Sequence, residues 1–217
     1  MNNQYKTCIE LVPPLKESIS FNQDSLRRQL IHHEGLMCGL YLPRNNQFFI
    51  GVGRNLSRDG VSEKEASYLI SRDVRRANSL LDVEGKLSSP KCQLVEGDLA
   101  LSLAALISDH HIGVHLFDNG ITQQEAHYLL DNDIKRIDFE LSMAWSPFSS
   151  LPFHHQAVLI NMAFDIGVNK VLRTRDLLAA LAEGAAHFAA IELEVSDWAK
   201  TDRNRAKELI AQLRLPG

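Results

Sequence analysis

Apolar residues recur along the chain at helical spacing in several stretches. Leu26, Leu30 and Ile31 share one face of a segment running to Glu34. Asp24 or Ser25 is placed to cap its start, and Gly35 to end it. Phe48 to Val52 is short, β-prone and bounded by turn residues, and it follows the turn-like Tyr41–Asn46. It reads as the second strand of a small hairpin. Ser57–Gly60 reads as a turn, and Ser62 with Glu65 forms a capping box opening a helix to about Leu81. Leu99–Ile107 is helix-forming and offers no hairpin turn. Ser146 to Pro152 reads as a loop, and His155–Phe164 as an apolar helix buried on most sides and stopped by Gly167. Helices over Thr174–Glu183 and Ala185–Ile191 are separated by Gly184, and a last helix covers Arg203–Leu213 after Asp202. The expected fold is α+β and mainly helical, with β structure near residues 40–55 and a further candidate near 112–117.

The pattern also repeats. Gly60–Leu69 aligns without a gap on Gly120–Leu129, and the match continues through Asp73 with Asp133, Arg76 with Arg136 and Leu81 with Leu141. Upstream, Ile50–Gly–Val52 finds Ile112–Gly–Val114, and Glu34–Gly35 finds Glu96–Gly97. So many matched positions in order favour duplication over chance. The period is too long and the copies too few for a solenoid. The expected organisation is an extension over 1–23, a small lobe with the hairpin over 24–81, a second copy with a lobe-joining helix over 82–141, and a helical lobe over 142–217.

Composition narrows the function classes. The 217 residues carry a net charge of −4, which supplies no basic field for nucleic acid or an anionic membrane. The three cysteines, Cys8, Cys38 and Cys92, are scattered and lack CxxC spacing, so they read as reduced thiols. The start has no long apolar core of a secretory signal, and no stretch is apolar enough to span a membrane. The chain is expected to be made in the cytoplasm. The histidine pairs His32–His33, His110–His111 and His154–His155 are adjacent in sequence, poor geometry for shared metal ligation on a helix. No phosphate-cradling glycine loop or nucleophile elbow is present, so no cofactor or metal is expected. Nothing in the sequence fixes an oligomeric state.

The candidate chemistry centres on Glu34. It closes an amphipathic helix immediately before a hairpin and a glycine-rich turn, which puts a half-buried carboxyl where a general acid could work. Glu34–Gly–Leu36, Ile50–Gly–Val–Gly–Arg–Asn–Leu56, Gly60–Ala66, Leu159–Gly167 and Trp198 with Asn204–Arg–Ala–Lys207 occur in that order. Together they resemble the phage-type lysozymes of glycoside hydrolase family 24, over about residues 24–214. The resemblance implies two lobes, one with a small hairpin and one all-helical, joined by a long helix across a cleft. It implies peptidoglycan glycan strands as partner, cut between N-acetylmuramic acid and N-acetylglucosamine after release to the wall. Glu34 stands where the family has its general acid, and Arg205 where it has a basic partner for that acid. Trp198 matches an aromatic of the helical lobe. Asn161, Phe164 and Asp165 lie on the helix whose end lines the cleft.

The departures bear on mechanism. The family pattern puts an Asp nine residues after the acid and a Thr six further on, where this chain has Pro43 and Phe49. In the second copy Glu96 is followed at those spacings by Ala105 and His111. Most glycosidases use two carboxylates. Three readings stay open. Asp165 could supply the second group of a hydrolase, with His32, His33, Asn45 and Asn46 as alternatives. Glu34 alone could serve as acid and then base in a lytic transglycosylase. The scaffold could also be a catalytically silent wall-binding or interaction module. Glu34 is preferred to Glu96 because hairpin-forming sequence follows only the first copy.

Overall fold

A computed structural model describes residues 21–41, 48–56, 58–62, 64–65, 68–69 and 120–215. The expectations for the extension up to residue 20, Pro43, Asn45, Asn46, most of the helix toward Leu81, and everything from Leu99–Ile107 to the candidate strand near 112–117, with Glu96, Ala105 and His111, lie outside them; Gln23, expected in the extension, opens the first helix. The described chain is mainly helical with one three-stranded antiparallel sheet. It divides into two compact units, with the divisions among described residues at His33/Glu34 and Leu130/Asp131.

The unit from Glu34 to Leu130 holds the sheet. Strand β1 (Met37–Tyr41) pairs antiparallel with β2 (Phe49–Gly51), Tyr41 opposite Phe49. The hairpin is therefore as expected. A third strand, β3 (Arg54–Asn55), was not: the chain reverses at Gly51 and Gly53, both at positive φ, and pairs back on β2. Its two residues are too few to show an alternation in sequence. Phe48 and Ile50 are buried and Phe49 between them is half-exposed, so Phe49 lies on the opposite face of the strand.

Both capping boxes form with almost the same geometry. The Ser62 amide and hydroxyl donate to Glu65 Oε2 at 2.8 and 2.9 Å, and the Glu65 amide donates back to Ser62 Oγ at 3.3 Å. At Thr122 and Glu125 the three distances are 2.7, 2.8 and 3.2 Å. The preceding glycines, Gly60 and Gly120, have φ of 62° and 64°. The Tyr68 and Tyr128 rings, equivalent in the repeat, meet with centroids 4.1 Å apart. In the first copy Glu65 takes a further partner. Its Oε1 receives Arg54 Nη2 at 2.7 Å, with both side chains buried, while Arg54 Nη1 donates to the Gly60 carbonyl at 2.9 Å.

The second unit contains helix α1 (Gln23–Glu34) up to His33 and helix α2 (Gln123–Ala144) from Asp131 on. As expected, Leu26, Leu30 and Ile31 of α1 are buried. The cap is a correction: Asn22 Oδ1, not Asp24 or Ser25, accepts from the Ser25 amide at 3.0 Å. Asp24 instead pairs with Arg27, which also holds Asp131 at 2.7 Å. The expected loop from Ser146 contains a 3₁₀ turn (Ser146–Ser150) that buries Phe148. Helix α3 (Phe153–Ile166) is apolar nearly all round and correspondingly buried, and Gly167 at φ 86° ends it. The remaining helices are α4 (Val168–Val171), α5 (Arg175–Ala182), α6 (Ala186–Val195), α7 (Asp197–Thr201) and α8 (Arg203–Leu213). Helix α8 packs on α3, α6 and α7, and Asp202 caps it by accepting from the Arg205 amide at 3.1 Å. The short α4 and α7 lie in connections that carry no helical periodicity of their own.

His154 and His155, at the start of α3, hold the end of α8. The His155 ring bonds the Leu213 carbonyl at 3.1 Å, Gln212 Nε2 donates to the His154 carbonyl at 2.7 Å, and the two rings meet edge to face. Burial lowers both histidines' pKa from the ordinary 6.5, and for His155 the neighbouring His154 adds to it.

Two outcomes follow from these contacts. At Gly60 a methyl group would meet open space, whereas at Gly120 it would collide with the Cys38 carbonyl of β1. Gly60→Ala should therefore cost about 1–2 kcal/mol, the left-handed backbone penalty alone. Gly120→Ala should cost clearly more, read as the difference between their denaturant midpoints. Because the native state binds protons at His154 and His155 less readily than the unfolded chain does, their contribution is complete above pH 6.5 and falls away as pH drops from 6.5 through the lowered native values. The unfolding midpoint should decline from pH 7.5 to pH 5.5. In His155→Gln, which can still donate to the Leu213 carbonyl, that decline should be shallower.

Candidate functional site

In the first unit the site is built around the Glu34 carboxyl. Gly35, at φ 75°, turns the chain from the end of α1 into β1. The Glu34 side chain lies over the glycine turn between β2 and β3. A Cβ added to Gly53 would stand 3.0 Å from Glu34 Oε2 and 3.2 Å from its Cδ and Cγ. Only a residue without a side chain lets the carboxyl sit so close to that backbone.

Tyr41, at the end of β1, completes this corner. Burial, and secondly the negative charge of Glu34, push its phenol pKa up to about 12, against the opposing effect of a backbone hydrogen bond from Gly53. The hydroxyl is thus neutral at any physiological pH and keeps its proton. Phe49 stacks on Tyr41 with ring centroids 5.6 Å apart. Where the resemblance implies a threonine, an aromatic pair stands instead.

The other carboxylates described in this unit have structural partners. Asp59 takes Arg58 through both oxygens, Glu65 takes Arg54 and its own cap, and Glu125 closes the second box. Tyr41 carried no sign of a role in the sequence beyond bordering a turn. The signal available was its position directly across a hairpin from Phe49.

In the second unit, several residues named from the sequence meet in one buried network. Asn161 of α3 is fully buried. Arg205 Nε donates to its Oδ1 at 2.7 Å and Arg205 Nη2 to its carbonyl at 2.8 Å. Asn161 Nδ2 donates to Gln29 Oε1 at 3.2 Å, and Gln29 Nε2 to Gln212 Oε1 at 3.0 Å. His33 brings Nδ1 within 3.3 Å of the Asn161 amide and Nε2 within 2.9 Å of Glu208 Oε2. His32 is exposed and reaches the other Glu208 oxygen at 3.6 Å. Gln29, Gln212 and Glu208 escaped the sequence reading. The first two interrupt apolar faces, beside Leu30 and Leu213, and a polar residue in such a place calls for a partner.

Asp165 and Trp198 form a separate pair. Trp198 Nε1 donates to Asp165 Oδ2 at 2.7 Å, so Asp165, itself exposed, fixes the indole of a buried tryptophan. Phe164 is buried in the core of the same unit. Among the described residues, no group of three or more His, Cys, Asp or Glu could hold a metal ion, and no helix is long and apolar enough to cross a membrane. No protein-family model matches the chain, and no curated protein matches it.

The network makes a sharp demand on Asn161. Asn161→Leu preserves its volume but strips a buried guanidinium and a buried glutamine of their acceptor and donor. The expected loss is about 2–4 kcal/mol of stability, the cost of removing the acceptor of Arg205 Nε and the donor to Gln29 Oε1 while Arg205 Nη2 keeps the residue-161 carbonyl, measured by denaturant unfolding. Asp165→Asn, which can still accept from the indole, should cost about 1 kcal/mol or less.

Proposed function

We propose that this chain cuts peptidoglycan glycan strands at the β-1,4 bond between N-acetylmuramic acid and N-acetylglucosamine, with Glu34 as general acid. The supporting observation is the seating of the Glu34 carboxyl against Gly53. It joins two of the five sequence motifs that carry the resemblance, Glu34–Gly–Leu36 and Ile50–Leu56, in one corner of one unit. The wider reading, a two-lobe lysozyme-like fold with Arg205, Asn161, Phe164, Trp198 and His33 as supporting residues, rests on that resemblance.

In this chemistry Glu34 gives its proton to the glycosidic oxygen as the bond to C1 breaks, and the bonding electron pair leaves with the departing sugar. A second group must then deal with the sugar cation. In the hydrolytic version a carboxylate such as Asp165 activates water. Phe49, in a place expected to be polar, favours a version that needs no second carboxylate. There the sugar's own 6-hydroxyl oxygen attacks C1, its proton passes to the Glu34 carboxylate, and the acid is restored. The product is a 1,6-anhydro sugar.

Purified peptidoglycan suspensions test both parts. Clearing should fall about 10²–10⁴-fold in Glu34→Gln, the usual contribution of a general acid. Mass spectra of the fragments should show 1,6-anhydro ends and no reducing ends in the single-acid version, with Asp165→Asn as active as the parent. Equal clearing by the parent and Glu34→Gln, or none by either, would overturn the cleavage reading.

A further inference from the structure

The replacement of polar positions beside Glu34 did not leave a bland surface. Tyr41 and Phe49 lie directly opposite one another on β1 and β2, with rings stacked at 5.6 Å and 30°. Both are half-buried, whereas the flanking Phe48 and Ile50 are 4% and 0% exposed on the other face of the strand. The strand thus separates a core face from a face bearing an aromatic pair. That pair stands beside the acid: the Glu34 charge and the Gly53 backbone both act on the Tyr41 phenol, and the Glu34 carboxyl lies against Gly53.

We infer that Tyr41 and Phe49 form a sugar-stacking subsite, on which a pyranose ring of an N-acetylated amino-sugar strand lays its C–H face beside the Glu34 carboxyl. Three features fix the ligand class. Two stacked rings offer a flat apolar area about the size of one sugar ring, suited to C–H groups and not to charge. The Tyr41 phenol keeps a proton at the edge of that area, to donate to a sugar hydroxyl or acetamido oxygen. Phenylalanine at position 49 cannot transfer a proton, so its contribution must be binding. In the proposed reaction the subsite compensates for the missing polar groups by holding the sugar in register with the acid. The inference rests on the proposed function for its ligand class, but not on cleavage taking place.

The test is calorimetric titration of Glu34→Gln with tri-N-acetylchitotriose. Binding should weaken about tenfold when Phe49→Leu is added, since leucine keeps the apolar volume but loses the ring face. Phe49→Trp should bind at least as tightly as the Glu34→Gln parent. A measurement on Glu34→Gln without further substitution guards against misfolded variants: ring currents should shift the sugar's axial C–H proton resonances upfield in the complex. Unchanged affinity in Phe49→Leu, absence of any binding, or absence of upfield shifts overturns the subsite. Intact binding with no clearing by the unsubstituted protein supports the subsite and overturns only the cleavage reading.

Discussion

The closeness of a carboxyl group to a peptide backbone is the constraint on which this structure turns. Glu34 can lie against residue 53 only because that residue is glycine. The backbone there has φ of 64°, which glycine alone adopts without penalty. Any side chain would strain that backbone and press on the carboxyl from 3.0 Å, making it give way by a few tenths of an ångström. A general acid displaced by an ångström loses much of its use. The chemistry proposed for this chain is therefore set by backbone geometry before any polar partner is considered.

That geometry has its own support. Gly53 precedes the two-residue strand β3, whose first residue is Arg54. Arg54 holds Glu65 and the Gly60 carbonyl, so the turn is anchored from below by a buried ion pair. Such pairs contribute little net stability, because desolvation offsets most of the attraction. Their use here is positional. Glu65 accepts from Ser62 and from Arg54 together, which couples the start of a helix to the glycine turn and, through the turn, to the acid. A stiff polar chain of this kind specifies one backbone path where an apolar contact would tolerate several.

Much of this was legible in the sequence, and the limits have physical reasons. Element types were readable where periodicity was long, as in α1, α3 and α8, and the capping-box pattern marked Ser62–Glu65, which the repeat aligns on Thr122–Glu125. The cap of α1 was misplaced because Asn22, Asp24 and Ser25 are all capable residues within one turn, and only tertiary pairing of Arg27 with Asp24 and Asp131 removes Asp24 from the choice. Glu34 and Asn161 could be named one at a time. What each touches depends on residues far away in sequence, such as Gln29 with Asn161 and Gln212. Tyr41 was invisible for the same reason, because its meaning comes from Gly53 and Phe49 across the hairpin.

The two copies of the repeat show how one local motif can be put to two uses. Their boxes agree to about a tenth of an ångström, and the rings of Tyr68 and Tyr128, matched in the sequence repeat, meet. Yet the sequence upstream of the second box offers no arginine in the place of Arg54: Val114 or Leu116 stands there, depending on which matched segment sets the register. The first box can therefore brace the glycine turn beneath the acid. The second is bound to the sheet differently, through the Ile121 amide on the Cys38 carbonyl at 2.7 Å and a glycine that admits no methyl group. The two helix starts are alike in their caps, and a single arginine on β3 ties one of them to the candidate site.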